Sequence, residues 1–186
     1  MSRSYSTQNQ LLLNKLLGYY QKNNNLQKIL SIINGESKIS LRLIDWFATN
    51  YAKKNFIVYN ILDKRGENKR FKVYVDYKLK LKAYSKRRFD PFCRWDRINI
   101  PYNDDCYIQT TIGQLNFFKW ALENKIIDYV LEHYDEIEND MNGRNSTARY
   151  KEIKNNKKTR KKREELSVSA TKSIKKEDVE IIVKFH

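Results

Sequence analysis

Apolar and polar residues alternate along the middle of the chain. In residues 70–84 every second residue is apolar, and most of the residues between them are lysines. This alternation predicts a β-strand with one buried face. With the apolar run at 56–62 and the glycine-containing turn at 63–68, it predicts a long β-hairpin. A strand of about 15 residues is long for a globular protein, so we expect a bend or bulge within it.

Helical spacing occurs on both sides of the predicted hairpin. Apolar residues three and four positions apart predict amphipathic helices at 7–22, 26–33, 40–54, 112–124 and 126–141. Ser40 is the predicted N-cap of the third helix. Thr111 and Gln114 form a T-x-x-Q capping box at the start of the fourth helix. Two short strands, at 98–100 and 106–110, are expected to extend the sheet. The pattern predicts an α+β fold with N-terminal helices, a central antiparallel sheet with a long hairpin, and a C-terminal helical pair.

The last part of the chain differs in composition. Residues 144–165 are rich in Lys, Arg and Asn and contain almost no apolar side chains, so they cannot bury a core of their own. After them, apolar residues alternate again and predict a terminal strand, at Val179, Ile181, Val183 and Phe185. Such a strand pairs in cis or adds to a sheet edge of a partner. We therefore expect a globular domain, a basic arm or linker and a C-terminal strand segment, at 1–141, 142–166 and 167–186.

The net charge indicates a negatively charged partner. The 186 residues include 37 Lys and Arg against 22 Asp and Glu, a formal net charge of +15. Nucleic acid, an anionic membrane surface or an acidic protein would each satisfy this charge. No apolar run is long enough to cross a membrane, so no transmembrane segment is predicted. Cys93 and Cys106 have neither a zinc-site spacing nor a disulfide framework, which favours an intracellular protein.

Catalytic patterns are not evident in the sequence. Its two histidines are His133 and the terminal His186, and no common nucleotide-binding, hydrolase or metalloprotease motif occurs. Six acidic residues lie in the predicted helix 126–141, where one outer face would carry them. We interpret this face as solvated or partner-facing rather than as a metal site, and the same charges argue against insertion of this helix into DNA. The sequence predicts a non-enzyme without a cofactor or metal.

Positive residues supply the candidate binding surface. On the predicted strand, Lys72, Lys78, Lys80 and Lys82 would project on one side with tyrosines between them. Such a face can contact phosphates and stack on bases, although outward lysines also protect edge strands from aggregation. Further candidates follow directly, at Lys86, Arg87, Arg88, Arg94, Trp95 and Arg97. The arm adds Lys157, Lys158, Arg160, Lys161, Lys162 and Arg163, which could bind a polyanion or serve as a nuclear localisation signal.

Four stretches resemble a known group of proteins. They read ISLRLIDWFATNYAKKN (39–55), LKAYSKRRFDPFCRWDRI (81–98), TTIGQLNFFKWALENKIIDYV (110–130) and LSVSATKSIKKEDVEIIVKF (166–185). The chain is similar here to a family of small uncharacterised proteins of nucleocytoplasmic large DNA viruses. This resemblance implies a virus-encoded protein made in the host cytoplasm. It implies no activity and no catalytic residues.

These observations lead to two functional hypotheses. The first is a basic structural protein of the virus particle, a minor capsid or cement protein that bridges other virion proteins and an acidic surface. The second is a nucleic-acid-binding protein without sequence specificity, for genome packing or transcription. An accessory subunit of a viral enzyme is a third, weaker hypothesis. The expected location is the virion and the host cytoplasm, with the nucleus as an alternative.

Overall fold

The chain folds into helices and two small antiparallel sheets, which confirms the α+β prediction. The computed structural model describes residues 3–22, 24–62, 65–103, 106–154 and 176–178. Residues 155–166 of the predicted basic arm and the predicted terminal strand residues from Val179 to Phe185 lie outside these residues, so both stay predictions. The described part of the chain contains no helix that is long and apolar enough to cross a membrane.

Three helical segments precede the first sheet. They are α1 (Arg3–Tyr20), α2 (Asn25–Ile33) and a helix formed by α3 (Leu41–Trp46), a π-helical turn (Phe47–Tyr51) and α4 (Ala52–Lys54). The predicted cap is confirmed, because the Ser40 hydroxyl accepts a hydrogen bond from the Leu43 amide at 3.2 Å. The π-helical turn was not predicted. It widens the helix between Phe47 and Tyr51, whereas the apolar spacing of 40–54 fits an ordinary helix.

The predicted hairpin exists, but its second strand is short. Strand β1 (Val58–Leu62) pairs with β2 (Asn68–Lys72), and α5 (Val73–Tyr84) follows without a linker. The prediction of a strand through residue 84 is therefore wrong. Residues 78–83 consist of Lys, Leu and Ala, which are strong helix formers, and this propensity overrides the alternation. The alternating apolar residues do not share a buried face in the helix.

A second sheet contains three strands. It is formed by β3 (Arg97–Asn103), β4 (Cys106–Thr111) and β5 (Lys176–Asp178), with β4 in the centre. The short helix α6 (Lys86–Phe89) lies between α5 and β3 in sequence. Strand β5 pairs antiparallel with β4, with Lys176 opposite Ile108. A segment near the C-terminus therefore returns to the sheet of its own chain.

Helix α7 (Ile112–Glu123) is the centre of the core. Every residue from Ile112 to Phe118 is buried, and α1, α6 and α8 (Ile126–Glu132) pack around it. Thr111 caps it as predicted, with its hydroxyl accepting from the Gln114 amide at 3.1 Å. The predicted helix 126–141 is interrupted at His133, and its second part continues as α9 (Tyr134–Lys154). The helix thus crosses the predicted boundary at residue 141.

The basic α6 segment is fixed closely to α7. A side-chain carbon at Gly113 would lie 2.9 Å from the Asp90 carbonyl oxygen and 3.1 Å from that of Arg87. Only glycine permits this approach of the two backbones. One turn further along α7, the Asn116 amide group donates a hydrogen bond to the Arg88 carbonyl oxygen at 2.9 Å. These close contacts hold the backbone that carries the positive residues of α6 against α7.

Candidate anion-binding surfaces

The four lysines predicted on one strand face do not lie together. Lys72 ends β2, whereas the other three lie on α5. In a helix, residues two positions apart point in nearly opposite directions, so Lys80 is separated from Lys78 and Lys82. The predicted row of four is therefore wrong. Its members belong to three different surfaces: the outer stripe of α5, the outer face of the hairpin, and a cleft.

The outer stripe of α5 consists of Val75, Lys78, Leu79 and Lys82. Their spacing of i, i+3, i+4 and i+7 places them on one side of the helix. Val75 is 51% exposed and Leu79 is 60% exposed, which is high for apolar residues. Both lysines are exposed, and neither forms an ion pair with any residue that the structure describes. The stripe therefore combines positive charge with apolar surface.

The outer face of the hairpin has the same mixed character. Lys72 pairs across the strands with Val58, and Arg70 pairs with Asn60. These four side chains are exposed, and Leu62 beside them is 59% exposed. On the other face of the hairpin, side chains such as that of Phe71 pack into the core. The hairpin thus presents a second surface on which cations stand next to apolar residues.

The positive residues after α5 divide into two groups. In the first group, Lys86, Arg87 and Arg94 are exposed. The Arg87 guanidinium lies over the partly buried Trp95 ring, 4.2 Å from its centroid. This stacking fixes a cation at the surface and covers one face of the indole. One face of the Trp95 ring is therefore covered by Arg87 of the same chain.

The second group, Arg88 and Arg97, is engaged within the fold. Arg88 is partly buried, and its Nε donates a hydrogen bond to the Asn9 side-chain oxygen at 2.8 Å. Arg97 lies on β3 and donates to the Gln109 side-chain oxygen of β4 at 2.7 Å. Both side chains thus connect neighbouring elements of the structure, a role that their sequence positions did not indicate.

A cleft of about 430 Å³ opens between the hairpin, α5 and α7. Lys69, Lys80 and Lys119 line it from these three elements, and buried Phe89 and Trp120 contribute to its walls. Of these three lysines, only Lys80 is among the residues predicted from the sequence. Helical spacing would have shown part of the cleft, since Asp76, Lys80 and Tyr84 recur every four residues.

Two ammonium groups in this cleft lack an acidic partner among the described residues. Lys119 forms an ion pair with Glu123, but Lys69 and Lys80 form none. Asp76 lies one turn from Lys80, yet its carboxylate accepts a hydrogen bond from the Trp120 indole nitrogen at 2.6 Å. Asp76 and Glu123 also line the cleft, so an anion there would meet the charges of Lys69 and Lys80 together with two nearby carboxylates.

The acidic residues of α9 contribute to internal packing. Asp140 accepts hydrogen bonds from the Trp46 indole nitrogen at 3.1 Å and from Lys54 at 2.6 Å, and Arg144 lies 3.9 Å away. Burial alone would raise the pKa of Asp140, but these donors and charges together lower it. Glu136 accepts a hydrogen bond from the Tyr51 hydroxyl at 3.1 Å. The prediction of a solvated acidic face therefore does not apply to Asp140.

Helix α8 also carries two acidic side chains that point outward. Asp128 and Glu132 are exposed, and neither forms an ion pair within the described part of the chain. Leu131, between them on the same side of α8, is 44% exposed. Their spacing of i, i+3 and i+4 forms an acidic and apolar stripe.

Comparison with known proteins identifies the family. Residues 2–185 match a family of unknown function, DUF7197. The chain belongs to this family. An uncharacterised protein of Acanthamoeba polyphaga mimivirus is 49% identical over 133 residues, which are 69% of this chain and 50% of that protein. The chain thus spans about half the length of this curated relative. No solved structure matches the chain.

This membership confirms the resemblance to uncharacterised proteins of giant viruses and supports a viral origin. The match includes the predicted arm at 142–166, whose six clustered cations lie outside the described residues. It also includes Val179, Ile181, Val183 and Phe185, which follow β5 and likewise lie outside them.

Proposed function

We propose that this chain is a non-enzymatic, basic structural protein of a large DNA virus particle. As a minor capsid or cement protein, it attaches to the acidic surface of a neighbouring virion protein. The outer stripe of α5 makes this contact, and the basic arm extends it along the neighbour. The protein is made in the host cytoplasm and is retained in the virion.

The composition of the α5 stripe carries this proposal. Val75 and Leu79 expose apolar surface beside Lys78 and Lys82, whose ammonium groups pair with no acid in the described part of the chain. A surface that binds only phosphates gains little from apolar side chains, because phosphate contacts are electrostatic. A protein surface with apolar residues and carboxylates would bury Val75 and Leu79 and neutralise the two lysines. The stripe therefore fits an acidic protein neighbour better than a nucleic acid.

Recombinant virus with the double substitution Lys78→Glu and Lys82→Glu tests the proposal. Purified particles are analysed by quantitative mass spectrometry and by cross-linking. We expect the wild-type protein in the particles, with cross-links from α5 to a neighbour, and at least about a tenfold loss of the variant, because two attractive charges become repulsive. The matched control, Lys22→Glu with Lys28→Glu, changes the net charge equally at exposed lysines of other surfaces. Absence of the wild-type protein from particles, or equal incorporation of both variants, would contradict the proposal.

The cleft favours a second candidate function, binding of nucleic acid without sequence specificity. Lys69 and Lys80 offer charges for phosphate, and the Tyr84 ring in the cleft wall offers a surface for a base. Binding to arbitrary duplex and single-stranded DNA would then weaken steeply with salt. The logarithm of the binding constant would fall by several units for each unit of the logarithm of the salt concentration. The variant Lys69→Ala with Lys80→Ala would reduce this slope by about two. Equal binding by this variant and by Lys22→Ala with Lys28→Ala would exclude the cleft as the binding site.

A further inference from the structure

Two helices of this protein carry stripes of opposite charge and similar spacing. The α5 stripe presents Val75, Lys78, Leu79 and Lys82, and the α8 stripe presents Asp128, Leu131 and Glu132. In each stripe the charged residues lie one helical turn apart, and exposed apolar residues lie beside them. The two surfaces are therefore complementary in charge, in apolar content and in repeat distance.

We propose that the acidic neighbour of the α5 stripe is the α8 stripe of a second copy of this chain. In this contact the leucines Leu79 and Leu131 cover each other, and the lysine pair meets the carboxylate pair. The inference rests on the proposed structural function and names the partner of the same surface. Its failure would leave open an attachment to another virion protein.

The contact joins different surfaces on the two copies. After the first contact one copy keeps its free α8 stripe and the other keeps its free α5 stripe, so further copies can add at both ends. Such head-to-tail association closes into a ring where the rotation between copies permits it and otherwise continues as an open chain. This kind of propagation suits a protein that covers or bridges a repeating shell.

Analytical ultracentrifugation of the full-length chain, freed of nucleic acid by nuclease and high salt, tests the contact. At low salt we expect the weight-average mass to rise continuously from micromolar to near-millimolar concentration. Added salt should reduce this mass, because the charges lie at the surface. The variant Lys78→Glu with Lys82→Glu, and separately Asp128→Lys with Glu132→Lys, should each raise the concentration needed for association by at least about tenfold.

Mixing the two variants provides the decisive control. Their equimolar mixture restores opposite charges at every α5–α8 contact, so association should return to the wild-type level. The quadruple variant should associate with itself for the same reason. Lys22→Glu with Lys28→Glu, which leaves both stripes intact, should behave as wild type. Circular dichroism verifies that every variant is folded.

Three results would overturn the inference. The first is a monomeric wild type over the whole concentration range, and the second is association that neither double variant weakens. The third is a mixture that remains dissociated although both variants are folded. A monomeric wild type combined with loss of the α5 variant from virus particles would refute the contact between copies and leave the structural function standing.

Discussion

Asp45 provides the sharpest test of the packing around α3. Its carboxyl group is partly buried two residues before the π-helical turn, and the charge of Asp90 acts on it. No described residue donates a hydrogen bond to this carboxyl group. Burial, and to a smaller extent the charge of Asp90, raise the pKa of Asp45 from 3.8 to about 7. Burial raises the pKa of nearby Tyr77 as well, so that its hydroxyl stays neutral over the same range.

The raised pKa fixes the direction of the pH dependence. The unfolded chain loses the Asp45 proton near pH 3.8, whereas the folded protein keeps it up to about pH 7. Between these values the folded state binds more protons, so the free energy of unfolding falls as the pH rises and becomes level above pH 7. A pKa difference of about 3 corresponds to about 4 kcal/mol over the whole range. Asp45→Asn has no proton to lose and should avoid this decrease.

Urea unfolding, followed by tryptophan fluorescence from pH 4 to pH 8, measures the effect. We expect Asp45→Asn to lie close to wild type at pH 4 and to be more stable by several kcal/mol, at most about 4, at pH 8. The comparison cancels the titration of groups that both proteins share. Asp96→Asn, at an exposed aspartate, controls for the loss of one carboxylate. Parallel stability curves for wild type and Asp45→Asn would refute the account of a buried, proton-holding carboxyl group.

Two further predictions concern the contacts that hold the helices together. Gly113→Ala should lower the free energy of unfolding by about 1–3 kcal/mol, because the new methyl group meets the α6 backbone. In the same urea assay, the control Gly18→Ala should raise the free energy of unfolding by up to about 1 kcal/mol, because its methyl group meets nothing within 4 Å. Asp140→Ala should cost about 2 kcal/mol at neutral pH, because Trp46 and Lys54 lose their acceptor. Since the pKa of Asp140 is lowered, this difference should disappear as the pH falls below 3.8, and a difference unchanged at low pH would contradict it.

The sequence predicted those elements that local chemistry determines. The caps at Ser40 and Thr111 were found because a hydroxyl side chain satisfies a free amide at a helix start. The β-hairpin turn was predicted because glycine favours turns, and Gly66 adopts a positive φ of 81° there. Each of these features depends on a few adjacent residues, so no knowledge of the tertiary structure was needed.

The errors arose where tertiary packing decides the outcome. Residues 73–84 alternate like a strand, but the helix propensity of 78–83 and the packing of buried Tyr77 against Phe89 and Trp120 together favour the helix. The cleft was missed because its lysines are 50 positions apart, at Lys69 and Lys119, and only the fold brings them together. A helical interpretation of residues 73–84 would have predicted the α5 stripe from the sequence. The α8 stripe can be recognised only from the solvent exposure of its side chains in the structure.

The buried helix α7 gives the proposed assembly its regularity. On one side α5 is fixed to α7, since Trp120 packs against Tyr77 at 5.7 Å between ring centroids and donates a hydrogen bond to Asp76. On the other side α8 follows α7 after a single turn and packs against it through the core. The two stripes therefore stand at a fixed angle to each other within one copy. Repetition of the same contact then turns each copy by the same amount, and this rotation decides whether the chain closes into a ring or continues along a shell.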